Sequence, residues 1–292
     1  MTRRISRTAA KVSEHAYDVV RLDFVSSLAK GLAVLEAFDQ GELLGNQELM
    51  QRTGLPKATV SRLTGTLAAL GYLRMDERSR KFVIGARVLG IGARVQRHIG
   101  LQRVARPFME KLAHELDVSV ILGVGDGPSL IFLDVVRPIR PRLVVNTGNG
   151  SVMPVESTAV GMAYLLGTVV SERARLIESL RRRYPAGEWD AIRRKIERAH
   201  RDYAAHGFVV SRHDRQGSVS GVGVPMPLDA KGVFAFSCVG PSFEMSMTRL
   251  MRVMGPRLVE TVDLIRDAMQ GAPNASPAPR RATGQAAARR RS

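Results

Sequence analysis

The chain has 292 residues, 45% of them hydrophobic, which is enough for two domains with apolar cores. It carries 44 basic and 27 acidic residues, a formal charge of +17, and this surplus favours a polyanionic partner such as nucleic acid. A merely soluble basic protein would show the same surplus. No apolar run approaches the ~20 residues that a membrane helix needs, and no secretory signal is visible. We therefore expect a cytoplasmic protein without a membrane partner.

Cys238 is the single cysteine, which excludes an internal disulfide and a cysteine-based zinc finger. It lies in the apolar run VFAFSCVG and is predicted to be a small core residue. His206, His213 and Asp214 could together bind a metal, but they lack a Cys or Glu partner. We expect no metal and no cofactor.

The N-terminal residues 1–22 are polar and basic without a period, which predicts a disordered basic arm. After them, large apolar residues recur at helical spacing and predict the first helix of a three-helix core. The predicted apolar face of this helix consists of Leu28, Leu32, Leu35 and Phe38.

The segment from Asn46 to Gly71 predicts two helices joined by a tight turn. Gly54 permits a left-handed end to the first helix, and Pro56 suits the start of the second. The predicted buried stripe of the second helix consists of Val60, Leu63, Leu67 and Leu70. Its opposite face is small, hydroxylic or basic, and is shaped to enter the major groove of DNA. An ordinary helical hairpin with a solvated face is the alternative.

A basic hairpin follows these helices, with strands predicted at 72–75 and 81–84. This is the winged form of the helix-turn-helix, whose wing reaches phosphates or the minor groove. The residues expected to contact bases are Lys57, Ala58, Thr59, Ser61 and Arg62. The residues expected mainly to hold phosphates are Lys57, Arg78, Arg80 and Lys81.

The rest of the chain predicts a linker helix and a second domain. Residues 85–99 keep a helical period despite two glycines, and 101–116 form an amphipathic helix. Further helices are predicted at 157–167, 171–183, 189–206 and 246–270, the last broken at 255–256. Strands are predicted at 118–127, 128–136, 140–148, 208–210, 219–226 and 233–239. Because strands and helices mix without regular alternation, we predict an α+β domain with a mainly antiparallel sheet.

The predicted organisation has five parts. A winged helix-turn-helix domain occupies 23–84, a linker helix 85–100, and the second domain 101–270, between the arm at 1–22 and a tail at 271–292. This tail is rich in Pro, Ala and Arg, contains five arginines and no acidic residue, and is predicted to be disordered.

A binding site is predicted where the helix at 157–167 begins. Ser157 or Thr158 can cap it, and the free amides of a helix N-terminus attract a carboxylate. Ser220 and Ser237 lie mid-strand among apolar residues, and a buried hydroxyl needs a partner. That partner is either a backbone carbonyl or a ligand.

Several segments resemble, in order, the IclR family of bacterial transcriptional regulators. They are SLAKGLAVLEAF, LPKATVSRLTGTLAALGYL, GSVMPVESTAVGMAYLL and GVGVPMPLDAKGVFAFSCVGP, within residues 24–270. The resemblance implies a DNA-binding winged helix-turn-helix, a linker helix and a GAF-like effector-binding domain. It also implies a homodimer or dimer of dimers on a double-stranded DNA operator, and a small-molecule effector, often an organic acid.

The family's ligand cup corresponds to five positions of this chain, which are Ala159, Val160, Ser211, Ser220 and Ser237. The chain departs from the family at Met162, where Lys is usual. It also has Ser211 where an acid is frequent and Ser220 where Cys occurs. These departures leave the effector open.

No nucleotide-binding loop, zinc-protease motif or G-x-S-x-G nucleophile motif is present, so we expect no catalytic residue. The sequence predicts a DNA-binding transcriptional regulator, not an enzyme, whose operator affinity is controlled by a small carboxylate effector. The alternative is a metabolite-binding module or enzyme of the same fold without specific DNA binding.

Overall fold

The computed structural model describes residues 24–38, 41–139, 147–212, 219–228 and 232–271, with backbone only at 95–99 and 271. The predicted arm, the tail beyond residue 271 and most of the predicted strand at 140–148 lie outside these residues. Within them, the chain forms a small helical domain with a hairpin, a connecting helix, and a larger domain built on one sheet. The predicted domain boundaries remain a prediction.

The small domain contains three helices and a hairpin. These are α1 Ser26–Glu36, α2 Asn46–Thr53, α3 Lys57–Ala69, β1 Leu73–Met75 and β2 Phe82–Ile84. The predicted turn between α2 and α3 is confirmed. Gly54 has φ 71°, and its N–H donates to the Met50 carbonyl at 2.9 Å, which satisfies an acceptor at the end of α2. Pro56 directly precedes α3, where the first amides of a helix have no intrahelical acceptor.

The predicted apolar face of α1 is wrong in its first half. Leu28 and Leu32 are 62% and 50% exposed, whereas Val34 is fully buried. The α1 residues that join the core, Val34 and the partly buried Leu35, come from the second half of the helix. The side chains of Leu28 and Leu32 therefore lie exposed on the surface of the small domain.

The predicted stripe of α3 holds except at its end. Val60 is fully buried and Leu63 and Leu67 pack against the core, but Leu70 is 48% exposed. Leu70 follows the last helical residue, and the backbone turns there. Thr64 is buried instead, and its hydroxyl donates to the Val60 carbonyl at 3.0 Å, so burial leaves it no unpaired donor.

The predicted wing is present as an antiparallel pair of β1 and β2. Asp76 closes its turn by accepting hydrogen bonds from the Ser79 hydroxyl and amide at 2.7 and 2.8 Å, which lower the pKa of Asp76. Phe82 also exchanges backbone hydrogen bonds with Leu44, at 2.8 and 2.9 Å. The wing is thereby fixed to the loop before α2.

The connecting helix α4 spans Arg87–Ile99, two residues shorter at its start than predicted. The Gly85 amide donates to the Tyr72 carbonyl at 2.7 Å, so Gly85 still belongs to the hairpin. Gly100 has φ 70° and separates α4 from α5, Leu101–Leu116, whose bounds match the prediction.

The larger domain is organised on one antiparallel sheet with strand order β5–β4–β3–β8–β7–β6. Its strands are β3 Ser119–Asp126, β4 Ser129–Val136, β5 Val152–Pro154, β6 Val209–Ser211, β7 Val219–Leu228 and β8 Gly232–Pro241. The predicted α+β class is confirmed. The short edge strand β5 was not predicted, because three residues give no detectable period.

Helices cover both faces of this sheet. The helices after β5 are α6 Ala159–Gly167, α7 Val170–Arg183, α8 Ala186–His206, α9 Met247–Arg249 and α10 Gly255–Gly271. Alternate strand residues face opposite sides, so Val120 and Leu122 join a core with α5 and α10, while Ile121 joins a second core with α6, α7 and α8. The sheet thus separates two apolar cores.

The C-terminal helix was predicted to break at Gly255 and Pro256, and the irregular turn lies just before these residues. A π turn at Leu250–Met254 connects α9 to α10. Pro256 has no N–H to donate to the Arg252 carbonyl, so a regular helix cannot run through this point.

Helix α6 lies unusually close to the backbone around it. A Cβ atom at Gly223 on β7 would lie 2.4 Å from the Ala159 carbonyl oxygen, and one at Gly161 would lie 2.3 Å from the Val155 oxygen. Only glycine fits either position, because the obstacle is backbone and cannot rotate away.

We therefore expect Gly223→Ala to lower the free energy of unfolding by about 1–3 kcal/mol, because the methyl group must displace α6. The matched control is Gly187→Ala in α8, where a Cβ would have no neighbour within 4 Å. It should be neutral or stabilise by up to about 1 kcal/mol. Urea unfolding measures both, and a Gly223→Ala midpoint equal to wild type would refute the packing argument.

Candidate functional site

The outer face of α3 has the character predicted for a DNA-reading surface. Lys57, Ala58, Ser61 and Arg62 are exposed, and Thr59 is half-buried. The helix contains no acidic residue. These side chains can approach a polyanion without desolvating a carboxylate. Their contacts with DNA remain a prediction.

The wing supplies two further exposed cations, Arg78 and Arg80. Lys81 is engaged differently, since its Nζ lies 2.5 Å from Oε1 of Glu48 on α2. The hydrogen bond from Lys81 lowers the pKa of Glu48, whose Oε2 accepts the Gly45 amide at 3.1 Å. Lys81 therefore ties the wing to α2 in the free protein, and its contact with phosphates remains a prediction.

A cavity of about 100 Å³ lies between the start of α6 and the sheet. All five positions predicted for the effector line it, namely Ala159, Val160, Ser211, Ser220 and Ser237. Residues that the sequence did not single out also line it, among them Ser119, Ile121, Phe132, Arg137, Thr147 and Met153. The cavity could hold several waters or one small organic molecule.

The predicted cap of α6 is confirmed at Thr158. Its Oγ1 accepts the Gly161 amide at 3.0 Å, and the neighbouring Ser157 hydroxyl donates to the Pro154 carbonyl at 2.7 Å. Ala159 and Val160 form the first turn, where helical amides have no intrahelical acceptor. The cavity thus meets the positive end of the helix dipole.

The two candidate strand serines point in different directions. Ser237 pairs with Gly223, three positions from Ser220 on β7, so strand alternation places their side chains on opposite faces. The Ser220 hydroxyl lies 2.9 Å from the Ser242 hydroxyl, a partner that the sequence did not suggest. Ser220 thus contributes to the lining, but its hydroxyl is turned away from Ser237.

Ser237 is the polar group that the structure leaves unsatisfied beside the cavity. It is fully buried, it lines the cavity, and its Oγ has no hydrogen-bond partner among the described residues. A buried hydroxyl without a partner loses its hydration and gains nothing in exchange. This is the state expected of a group that a ligand satisfies.

A buried acid, Glu156, lies just before α6. Glu156 is 6% exposed, and its Oε1 accepts a hydrogen bond from the Tyr184 hydroxyl. Burial, and then this bond to the carboxylate, raise the pKa of Tyr184. Oε2 of Glu156 has no partner in the described part of the chain.

Other predicted features stand as follows. Cys238 is fully buried in the core, as predicted, and burial raises its thiol pKa. Within the described ranges, no cluster of three or more His, Cys, Asp or Glu could hold a metal; His213 and Asp214 lie outside them. No helix among the described residues is long and apolar enough to span a bilayer.

A winged helix-turn-helix with a basic outer face, joined to a separate domain with a partly polar cavity, defines a ligand-responsive DNA-binding regulator. The family comparisons agree. Residues 27–77 match the IclR helix-turn-helix domain, and residues 93–264 match the bacterial transcriptional regulator IclR C-terminal domain. The chain belongs to the IclR family of bacterial transcriptional regulators.

Individual relatives support this assignment. The HTH-type transcriptional regulator TsaQ1/TsaQ2 of Comamonas testosteroni is 46% identical over 250 residues, covering 85% of this chain and 90% of that protein. The crystal structure of an IclR family regulator from Brucella abortus has a TM-score of 0.74 at 38% identity, covering 86% of this chain and 95% of that one. An IclR homolog from Microbacterium hydrocarbonoxydans, solved with 4-hydroxybenzoate, shares the fold at 20% identity and a TM-score of 0.65, covering 84% and 100%.

The two serines should differ in how they affect the ligand-free protein. Ser237→Ala should leave the free energy of unfolding unchanged or raise it, because an unpaired buried hydroxyl is removed. Ser220→Ala should lower it by about 0.5–1.5 kcal/mol, because the hydrogen bond between the Ser220 and Ser242 hydroxyls is lost. Urea unfolding of both variants measures these free energies. If Ser237→Ala lowered the free energy of unfolding as much as Ser220→Ala, the Ser237 hydroxyl would already have a hydrogen-bond partner in the ligand-free protein.

Proposed function

We propose that this regulator binds a pseudo-palindromic operator as a two-fold dimer, and that a small carboxylate in the cavity beside α6 controls its affinity. The observation that carries the DNA half is the exposed, acid-free face of α3 next to a basic wing. A protein of this kind acts where the chromosome is, in the cytoplasm, and needs no catalytic residue.

On this proposal the α3 face lies in the major groove. Arg62 has the fork geometry that pairs with guanine, Ser61 and Thr59 reach either base edges or phosphates, and Ala58 allows close approach. Lys57 and the wing residues Arg78 and Arg80 neutralise phosphates and so set position rather than sequence. Lys81 joins them only if its bond to Glu48 opens.

The dimer interface is proposed on α1 and α4. Leu28 and Leu32 on α1 are at least half exposed, and on α4 Leu89 and Ile91 are 75% and 50% exposed. An exposed apolar surface of this kind usually marks an interaction site. One winged domain also reads too few base pairs for genomic specificity, so two copies on one operator are expected.

The effector is proposed to be an anion because of the lining of the cavity. The first turn of α6 contributes free amides, and the lining residues that the structure describes include Arg137 but no acid. The Microbacterium homolog, which has the same fold, was solved with 4-hydroxybenzoate. This ligand is a small organic acid. Ala159, Val160, Ser211 and Ser237 are the proposed contacts, with Ser220 contributing backbone.

A route from the cavity to the DNA-binding domain runs through an ion pair between a buried carboxylate and a half-exposed arginine. Asp134 on β4 is fully buried, and both its oxygens accept bonds from Nη1 of Arg106 on α5, at 2.9 and 3.1 Å. Its neighbour Val135 lines the cavity, and α5 follows the connecting helix α4 directly. A ligand that shifts β4 would thus move α5 and α4, and the coupling would act equally in both directions.

The test of DNA recognition uses an operator selected from random DNA. Arg62→Ala should lower operator affinity by about 1–3 kcal/mol and relax base preference at one position. Arg78→Ala should weaken selected and random DNA alike and lower the salt slope by about one. Arg194→Ala, an exposed arginine on α8, is the control for lost charge. If the variants at Arg62 and Arg78 bound like wild type, the alternative of a metabolite-binding module without specific DNA binding would be favoured.

The test of assembly introduces charge into the proposed interface. Leu32→Arg combined with Leu89→Arg should shift a wild-type dimer toward monomer, because burying two unpaired cations is costly. Val170→Arg, at an equally exposed apolar position on α7, should leave the dimer intact. Light scattering measures the mass, and a monomeric wild type at micromolar concentration, with or without operator, rules the proposal out.

A further inference from the structure

The charge in the cavity lining is concentrated in one side chain. Among the lining residues that the structure describes, Arg137 alone is ionic, and the others are apolar, hydroxylic or glycine. Arg137 lies one residue beyond β4, and its Nη2 donates to the carbonyl of Thr147, another lining residue. Among the described residues, this bond holds the guanidinium at the cavity and uses one of its five donors.

The start of α6 is poorly suited to hold a buried anion without this cation. A helix end corresponds to only about half a positive charge. A buried anion there needs a full opposite charge nearby, since a buried ion without a partner is strongly disfavoured. Arg137 is the group that supplies it.

The unsatisfied hydroxyl of Ser237 marks a second, uncharged point of recognition. Arg137 follows β4 and Ser237 lies two strands away on β8, so strand spacing places their α-carbons roughly 12 Å apart. Part of this distance is taken up by the arginine side chain. Strand register places Ser119 and Ile121 of the intervening strand β3 between the two. Ile121 and the lining residues Phe132 and Val239 make much of the cavity wall apolar.

We propose that Arg137 determines the specificity of the cavity by binding the acidic group of the effector, and that Ser237 binds a polar group at the effector's other end. The effector is then an acid with an uncharged hydrogen-bonding substituent opposite its acid group, and the apolar lining favours a ring between the two ends. This inference rests on the proposed function, since it assigns the chemistry of the same effector site.

The experiment is calorimetry on the full chain with four ring compounds that vary the two ends independently. They are 4-hydroxybenzoate, benzoate, 4-hydroxybenzamide and benzamide. Wild type should bind the two acids at least tenfold more tightly than the two amides, because only the acids pair with a guanidinium. It should also prefer each hydroxylated compound to its plain counterpart.

Each variant should remove one of these preferences. Arg137→Gln should weaken both acids by tenfold or more and leave the amides unchanged, while Arg137→Lys restores part of the preference for acids. Ser237→Ala should abolish the preference for the hydroxyl group and keep the preference for acids. The control is Arg103→Gln, an exposed arginine on α5, which packs on the opposite face of the sheet. Thermal melting confirms that each variant is folded.

The outcomes separate the inference from the proposed function. Acids that bind wild type and Arg137→Gln equally overturn the role of Arg137 while the carboxylate effector stands. Wild-type binding of amides but not acids overturns the inference and the carboxylate class together, yet leaves DNA recognition intact. Binding of none of the four compounds overturns the ring-acid class. If the wild-type protein bound no operator at all, the proposed function as a DNA-binding regulator would be refuted.

Discussion

The effector domain depends on the close approach of α6 to the sheet. A Cβ atom at Gly223 would lie 2.4 Å from the Ala159 carbonyl oxygen at the helix start, and one at Gly161 would lie 2.3 Å from the Val155 oxygen in the turn before α6. This contact brings the first turn of α6 against β7 and β8, so that free helical amides and the hydroxyl of Ser237 line one cavity. A larger residue at Gly223 would separate the helix start from β7, and one at Gly161 would displace the turn before α6.

The sheet then determines what the cavity can influence. Because alternate residues face opposite sides, Val135 lines the cavity while its neighbour Asp134 turns to α5 and pairs with Arg106. The charge of Asp134 is the main cause of the raised pKa of Arg106. A buried carboxylate is disfavoured without an opposite charge, so on our proposal β4 and α5 move together. Since α5 follows α4 after Gly100, that movement would reach the helix that leads to the DNA-binding domain.

In the DNA-binding domain, some charged side chains form ion pairs that hold the fold together, and others stay exposed. Lys81 and Glu48 fasten the wing to α2, and Arg52 bonds to Glu42 and to the Ala37 carbonyl, which holds α2 against the end of α1. The cations on the outer face of α3 and at the wing tip stay exposed. Partly exposed ion pairs contribute little to stability, so their main effect is to fix the position of the wing.

The sequence by itself determined the elements and their order, because hydrophobic period, caps and turn residues are local signals. The turn at Gly54, the cap at Thr158 and the bounds of α5 were predictable for this reason. The family resemblance led to five positions that line one cavity, and their contact with an effector remains a prediction. Only the tertiary structure decided which side chains are buried or paired. Leu28 and Leu32 have the spacing of a core face yet lie outside it, and Lys81 has a partner on another helix. Strand register alone turned Ser220 away from Ser237, and only the tertiary structure showed that Arg137 lines the same cavity. These properties depend on contacts between distant segments, and no local pattern in the chain encodes such contacts.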